Sequence, residues 1–145
     1  MNLISFKKHL LASMIILLLV SVRYLRVEYF YDPLELFFKS DFKNQLQFPF
    51  LDFLELFKSY SLIFFLNSFL SIMIIYTYFP KKDVLKFLIV LFGLFYITLL
   101  MIFVISFVFV SDDFLVFYYI RRFVLNPLLL ILILPAYFYN SYMKS

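Results

Sequence analysis

The chain contains 145 residues with a formal net charge of +4 at pH 7, and 66% of its residues are hydrophobic. Its mean hydropathy of +1.00 exceeds what a soluble domain of this length can bury, so a soluble globular protein is excluded. The composition predicts an integral membrane protein, with the bilayer as the solvent of most side chains.

The first predicted transmembrane helix covers residues 8–30. Its run without charged residues, 10–22, spans only about 20 Å of a hydrocarbon core roughly 30 Å thick, so the helix has to extend before residue 10 or past Val22, toward Arg23 and Arg26. A cleavable signal peptide is the alternative, because lysines precede the run. Bulky and charged residues follow Val22, where signal cleavage requires small side chains, and we therefore expect the helix to be retained.

A short interfacial helix is predicted in the first outer loop. Asp32 and Pro33 are typical of a helix start, since the carboxylate can cap free amide groups and proline suits the first helical position. The predicted helix dips its apolar residues into the membrane surface and turns its charged residues to water. These residues are Leu34, Phe37 and Phe38 on the apolar side and Glu35 and Lys39 on the charged side. A second helix start follows at Pro49 or Asp52.

Three more transmembrane helices are predicted after this loop, at residues 52–79, 85–110 and 114–139. The first two are long enough to cross a bilayer, and the third is interrupted by an arginine pair and by prolines. No internal repeat or linker divides the sequence. We therefore predict a single domain, residues 1–145, which is an all-α integral membrane protein with four transmembrane helices in an antiparallel bundle.

Small and polar residues inside the predicted helices indicate where the helices pack. Serines and an asparagine on one face of the second helix allow close approach and interhelical hydrogen bonds, and Gly93 is a predicted contact point on the third. Pro127 predicts a bend in the fourth helix, with Asn126 close enough to bond the carbonyl that the proline frees on Phe123. The polar residues of the second helix are Asn67, Ser68 and Ser71.

The placement of lysines predicts the orientation, because Lys and Arg resist translocation across the membrane. One side of the predicted bundle holds lysines from both termini and from the loop between helices two and three, whereas the other side holds the acidic residues of the first loop together with Asp112 and Asp113. We expect both termini to be cytoplasmic. A positive inner face suits anionic lipid, so membrane lipid is an expected partner and nucleic acid is not. The lysines are Lys7, Lys8, Lys81, Lys82, Lys86 and Lys144.

Residue types exclude most catalytic and metal-binding chemistry. The chain has no Cys, which removes thiol nucleophiles, disulfides and thiolate metal sites. Its one histidine, His9, is expected at the membrane interface rather than as a ligand or base. Gly93 is the only glycine, so a glycine-rich phosphate loop is excluded. We predict no catalytic residue, no metal site and no cofactor.

Four arginines are predicted to gather near the outer surface. Arg23 and Arg26 extend the first helix, and Arg121 and Arg122 lie about two turns into the fourth. Arginine keeps its charge in a partly dehydrated site and holds carboxylate or phosphate through paired hydrogen bonds. One hypothesis is an outer anion or partner site made of these arginines and Asp32, with lipid phosphate, a peptide carboxylate or the protein's own acids as guest. The alternative is snorkelling to the headgroups or internal ion pairing.

Two segments resemble a known family. They are Tyr31-Asp32-Pro33-Leu34 with Phe37-Phe38-Lys39 and Asp41, and Phe117-Tyr118-Tyr119 to Arg121-Arg122-Phe123 with Pro127 and LILPAYFY at 132–139. They resemble the exosortase F system-associated membrane proteins, which are small bacterial proteins encoded beside an exosortase. Exosortases are membrane transpeptidases or proteases that process carboxyl-terminal sorting signals with Cys, Arg and His. Because this chain has no Cys, the resemblance implies an accessory role, and it transfers no catalytic residue.

The predicted function is therefore a noncatalytic accessory role in an exosortase-type protein-sorting system, with an exosortase as the partner that the protein binds or positions. The resemblance also implies a bacterial inner membrane. A structural membrane assembly factor is the alternative, and it requires no guest molecule. A small transporter or lipid-binding protein fits less well, because the middle of the predicted helices contains few polar residues.

Overall fold

The computed structural model describes residues 3–40, 52–109 and 114–143. Of these residues 91% are helical, and none of the described ranges contains a strand. Five positions named in the sequence analysis lie outside the described residues. They are Pro49, which is one of the two positions predicted to start the second helix, and the residues Asp41, Asp112, Asp113 and Lys144. The all-α class expected from composition is confirmed.

Six helices form the described part of the chain. Five of them are longer than ten residues, and the sixth is the short helix α2 that follows the first long helix. The helices are α1 (Leu3–Tyr29), α2 (Leu34–Lys39), α3 (Phe53–Tyr78), α4 (Lys82–Phe109), α5 (Phe114–Leu125) and α6 (Leu128–Met143).

Three of these helices contain segments long and apolar enough to cross a membrane: Phe6–Arg26, Phe53–Tyr78 and Lys82–Val108. A fourth crossing is possible by length if α5 and α6 together form one span, although they meet at an angle of 53°. The protein thus has three to four membrane-spanning helices, in agreement with the hydropathy pattern. The predicted fourth helix is not continuous, because a break separates α5 from α6.

The three long helices α1, α3 and α4 alternate in direction. The Nδ1 atom of His9 near the start of α1 lies 3.2 Å from the hydroxyl of Tyr78 at the end of α3. At the other end, the rings of Phe53 and Phe107 join the start of α3 to the end of α4, with centroids 4.7 Å apart. These two contacts establish the antiparallel arrangement of the long helices. The ring of Phe138 in α6 lies 5.2 Å from that of Tyr78, so α6 runs in the same direction as α3.

The two ends of the bundle therefore differ in their basic residues. We call them the lysine end and the arginine end. The described lysine end carries Lys7, Lys8, Lys81, Lys82 and Lys86, and the arginine end carries all four arginines, Arg23, Arg26, Arg121 and Arg122, together with Lys39 and Lys58.

Helix α3 is the centre of the bundle. It packs against α1, α4, α5 and α6, and half of its membrane window is buried, compared with 17% for α1 and 22% for α4. Leu56, Ile63 and Ile75 of α3 are at most 1% exposed. Because the outer helices bury so little of their apolar surface within the chain, most of that surface is available to lipid.

Polar residues of α3 face the core, as expected for helix packing. Ser68 and Ser71 are buried, and the side-chain amide of Asn67 donates to the carbonyl of Leu125 at 3.2 Å. Gly93 behaves differently. It is exposed on α4, and no atom lies within 4 Å of the position a Cβ would occupy, so the predicted contact at this glycine is not formed within the chain.

The break between α5 and α6 occurs at Asn126 and Pro127, where proline removes an amide donor. The predicted bend is confirmed, but its hydrogen bonding is not the one expected. The side-chain amide of Asn126 donates to the carbonyl of Arg122 at 2.9 Å rather than to that of Phe123. The Asn67 amide bonds the carbonyl of Leu125, the last residue of α5. Two asparagines thus compensate the interrupted helix.

Helix α2 is oriented differently from the predicted interfacial helix. Leu34 is fully buried, Glu35 is 8% exposed and Leu36 is 78% exposed, so an acidic residue faces the protein and an apolar residue faces outward. The carboxylate of Asp32 makes no capping bond to α2, and Pro33 occupies the position before its first residue. The second helix start is as predicted, since Asp52 accepts hydrogen bonds from the amides of Leu54 and Glu55.

The bond at the break provides a test of this arrangement. We expect Asn67→Leu to lower the free energy of unfolding in detergent by about 1 kcal/mol, because the carbonyl of Leu125 loses its donor. Thr98→Val is the control, since its hydroxyl bonds the carbonyl of Leu94 on the exposed side of α4, and its effect should stay within about 0.5 kcal/mol. Chemical unfolding of the purified protein measures both. Equal losses in the two variants would contradict the role of Asn67.

Candidate functional site

A shielded ion pair joins Arg121 of α5 to Asp32, which lies between α1 and α2. The Nε of Arg121 donates to Oδ2 of Asp32 at 2.9 Å, and its Nη2 lies 2.8 Å from the same oxygen. The side chain of Arg121 is 14% exposed and that of Asp32 is 6% exposed. A charge-assisted pair of this kind is strengthened by its shielding from water, because the local dielectric is low.

Glu35 extends this pair by one turn of α2. Its Oε2 accepts from Nη2 of Arg121 at 3.1 Å, and its Oε1 lies 2.7 Å from the Nζ of Lys39. The hydrogen bond from Lys39 and the charge of Arg121 lower the pKa of Glu35, against the opposing effect of burial. Glu35 is therefore ionised when it bridges the two basic groups.

The central helix contributes a third partner to Asp32. The hydroxyl of Tyr60 donates to Oδ1 of Asp32 at 3.1 Å, and Tyr60 is 5% exposed. Oδ1 also receives a longer hydrogen bond, 3.2 Å, from Nε of Arg121. Asp32 thus connects α5 to α3 in addition to holding the start of α2. We call Asp32, Glu35, Lys39, Tyr60 and Arg121 the clamp.

The backbone around the clamp is anchored by further polar bonds. The amide of Tyr31 donates to the hydroxyl of Ser59 at 3.1 Å, and the amide of Asp52 donates to the hydroxyl of Tyr31 at 3.3 Å. Phe38 of α2 packs edge-on against Tyr118 of α5, with ring centroids 5.4 Å apart. The segment that enters α2 is therefore tied both to α3 and to α5.

The structure does not bring all four arginines into one site. Arg121 is the member of the clamp, whereas Arg23 and Arg122 are exposed. Arg26 is half-buried, and its Nε has no hydrogen-bond partner within residues 3–40, 52–109 and 114–143. The predicted outer site of Arg23, Arg26, Asp32, Arg121 and Arg122 thus separates into an ion-paired centre and three arginines around it.

Internal ion pairing, one of the two alternatives considered for the arginines, is the arrangement observed for Arg121. Its Nε and Nη2 are both occupied by carboxylates of the same chain, so these donors are not free to hold a guest. Chemically the clamp can neutralise a guanidinium that lies inside the bundle, and it can hold α2 in place. Among the described residues, no three His, Cys, Asp or Glu side chains are arranged to bind a metal ion.

Three members of the clamp, Glu35, Lys39 and Tyr60, lie outside the site that the sequence predicts. The sequence pattern turns Glu35 and Lys39 to water, although Glu35 follows Asp32 by three residues, a spacing that places both carboxylates on one side of a helical turn. Tyr60 is absent from the predicted site. It lies one turn from the buried Leu56 and Phe64 of α3, so its position on the buried stripe was visible in the spacing of apolar residues, but its partner was not.

Adjacent arginines on α5 offer a matched test of the clamp. We expect Arg121→Gln to lower the free energy of unfolding by about 3–5 kcal/mol, because it leaves Asp32 and Glu35 without their shared cation in a shielded site. Arg122→Gln removes the same charge from an exposed position and should change stability by no more than about 0.5 kcal/mol. Chemical unfolding in detergent measures both values.

A double-mutant cycle with Asp32→Asn separates the pair from a general effect of charge. The combined Asp32→Asn and Arg121→Gln variant should be more stable than the sum of the single effects implies, since neither partner is then left as an isolated buried ion. Additive losses, or equal losses for Arg121→Gln and Arg122→Gln, would show that the clamp does not hold the fold.

The chain was compared with protein-family models, with curated proteins and with solved structures. None of these comparisons produced a match.

Proposed function

We propose that this protein is a noncatalytic accessory membrane protein of an exosortase-type protein-sorting system, in which it binds or positions the sorting enzyme. One observation carries the proposal. The two segments on which the family resemblance depends, around Asp32 and around Arg121, are 89 positions apart in sequence and meet in the clamp. The residues that distinguish the resemblance are thus the residues that fix α2 on the bundle.

The clamp gives α2 a defined outer face that suits a binding role. Leu36 is 78% exposed and Lys39 is 69% exposed at its side chain, while Leu34 and Phe37 anchor the opposite side. An exposed leucine beside a lysine on a rigidly held helix can contact an apolar and acidic surface of a membrane enzyme. Rigid attachment favours this role, because less conformational freedom is lost when the partner binds.

A structural assembly factor is the second candidate, and the internal pairing of Arg121 favours it. In that function the clamp stabilises the bundle and α2 has no specific partner. A transporter is less well supported, because hydroxyl groups along the helices bond carbonyls of their own helix. Examples are Thr98 with Leu94 and Ser106 with Ile102.

We infer that the protein lies in a bacterial inner membrane with the lysine end in the cytoplasm. Lys81, Lys82 and Lys86 lie in or beside the short turn between α3 and α4, where positive charge has its largest influence on orientation. The family resemblance supports the bacterial inner membrane. With this orientation the clamp and the exposed face of α2 belong to the outer side of the membrane.

Cysteine labelling tests the orientation, since the natural chain has no Cys. Glu28→Cys and Lys82→Cys place single thiols at exposed positions of opposite ends. In intact spheroplasts, a membrane-impermeant maleimide should label residue 28 but not residue 82, because the membrane shields the cytoplasmic side. Residue 82 should react after the membrane is opened. If residue 82 alone were labelled in intact spheroplasts, the result would contradict the proposed orientation and indicate the opposite one.

A sorting assay in the native host tests the accessory function. Deletion of the gene should reduce processing of a reporter that carries a carboxyl-terminal sorting signal, and the wild-type gene should restore it. Leu36→Glu should fail to restore processing while the protein still accumulates in the membrane, because the change alters the outer face of α2 and not its buried side. The tagged sorting enzyme should co-purify with the wild-type protein but not with the Leu36→Glu variant.

Leu54→Glu is the matched control for this experiment. Leu54 is 65% exposed in the first turn of α3 at the same end of the bundle, so this change adds the same charge outside α2. It should restore processing. Normal processing in the deletion strain would reject the accessory function. Equal failure of both variants, with lowered protein levels, would instead favour the structural assembly factor.

A further inference from the structure

The charge of Arg26 has no partner within the described chain. Its side chain is half-buried near the end of α1, and its buried Nε has no hydrogen-bond partner within residues 3–40, 52–109 and 114–143. No ion pair joins Arg26 to an acidic residue in those ranges. Buried donors in folded proteins almost always have an acceptor, which the protein, water or a ligand supplies. A ligand with negative charge is therefore expected at this guanidinium.

The carboxylates of the clamp are already bound to other cations. Asp32 and Glu35 both contact Arg121, and Glu35 also contacts Lys39. The hydrogen bond and charge of Lys39 and the charges of Arg121 and Arg26 lower the pKa of Glu35, against the opposing effect of burial. Arg26 thus lies close enough to act on Glu35 through its charge, although it is not bonded to it. Three cations share two carboxylates, which leaves positive charge in excess beside α1.

Arg23 extends this excess of positive charge toward the lipid. It is exposed and precedes Arg26 by three residues, so the two side chains leave neighbouring positions on one side of α1. Arg26 continues the stripe of Leu19, which lies seven residues earlier and packs against the core. Because each guanidinium presents paired N–H donors, two arginines at this spacing can hold one phosphate between them.

An exposed aliphatic stripe runs from the arginines toward the middle of the membrane. Val20 and Ile16 precede Arg23 by three and seven residues, so they share its side of α1, and they are 46% and 48% exposed. At 1.5 Å per residue, Ile16 lies about 15 Å deeper than Arg26, which is half of a hydrocarbon core roughly 30 Å thick. Arg26 is the last residue of the membrane-spanning segment Phe6–Arg26. The stripe is therefore as long as one leaflet, with the arginines at the headgroup level.

We propose that Arg23 and Arg26 bind the phosphate of a phospholipid in the leaflet at the arginine end, with an acyl chain of that lipid along Ile16 and Val20. The phosphate supplies negative charge and acceptor oxygens at the depth of the two arginines. The aliphatic stripe needs no hydrogen bonds from the chain that covers it. A free phosphate ion or a carboxylate of a partner protein would match the arginines but would leave the stripe uncovered.

This lipid site goes beyond the proposed accessory function and does not depend on it. The lipid contacts α1, whereas the sorting enzyme is proposed to contact the outer face of α2 at Leu36 and Lys39. Lipid binding is measured on the purified chain without a sorting enzyme. The two proposals can therefore fail separately.

Native mass spectrometry of the full chain tests the site. The purified protein in mild detergent is mixed with dioleoylphosphatidylglycerol or with dioleoylglycerol, which has the same acyl chains but no phosphate. We expect the chain to retain a single phosphatidylglycerol molecule and no dioleoylglycerol. Arg23→Gln and Arg26→Gln should each lower the affinity for phosphatidylglycerol roughly tenfold, the effect of losing one hydrogen bond to a charged group. Arg26→Lys should lower it as well, because lysine lacks the paired donors.

Two matched controls separate the site from general effects. Arg122→Gln removes an exposed arginine from the same end of the bundle but from α5, and it should leave retention unchanged. Val20→Asn places an amide in the aliphatic stripe and should weaken retention. Leu18→Asn makes the same kind of change at an exposed position on the opposite side of α1, where it should have no effect.

Thermal unfolding verifies that each variant is folded and identifies other occupants. Phosphatidylglycerol should raise the Tm of the wild type, since a ligand that binds only the folded chain stabilises it, and it should not raise the Tm of Arg26→Gln. An equal rise with inorganic phosphate would assign the site to a free ion. A rise with tetraglutamate but not with the lipid would assign it to a protein carboxylate. Either result would overturn the proposal, as would equal retention of dioleoylglycerol or equal retention of phosphatidylglycerol by Arg26→Gln and Arg122→Gln.

Discussion

The arrangement of this protein depends on the need to neutralise Arg121 inside the bundle. An ionised group that is removed from water costs several kcal/mol unless a partner of opposite charge compensates it. Asp32 and Glu35 provide that compensation, and both lie on the chain segment that follows α1. The segment therefore has to fold back against α5 and α3 instead of remaining at the surface. The position of α2, and with it the surface that we propose for partner binding, follows from this pairing.

The break after α5 links the two ends of the molecule. Because Pro127 cannot donate a hydrogen bond, the helix ends one turn beyond Arg121, and the amides of Asn67 and Asn126 satisfy carbonyls near the break. The same break changes the direction of the chain by 53° between α5 and α6.

Charge is used differently at the two ends. At the arginine end the central guanidinium is paired within the chain, so that end is held together by its charges. At the lysine end Lys81, Lys82 and Lys86 are exposed, and no ion pair joins them to an acidic residue within the described ranges. The paired charges of the clamp therefore hold α2 in place, whereas the lysines of the other end are open to the surroundings. This contrast also shows that a count of basic residues does not distinguish a structural pair from a binding site.

The sequence by itself determined the membrane class, the helix boundaries to within a few residues at most ends and the bend at Pro127, because hydropathy and proline chemistry are local properties. It also placed basic residues at the two ends. Only the tertiary structure decided that Glu35 faces inward, that Tyr60 joins Asp32, that Gly93 faces outward, and which of two adjacent arginines is paired. These outcomes depend on helix rotation and on contacts between residues as far as 89 positions apart, and neither is encoded in the spacing of neighbouring residues.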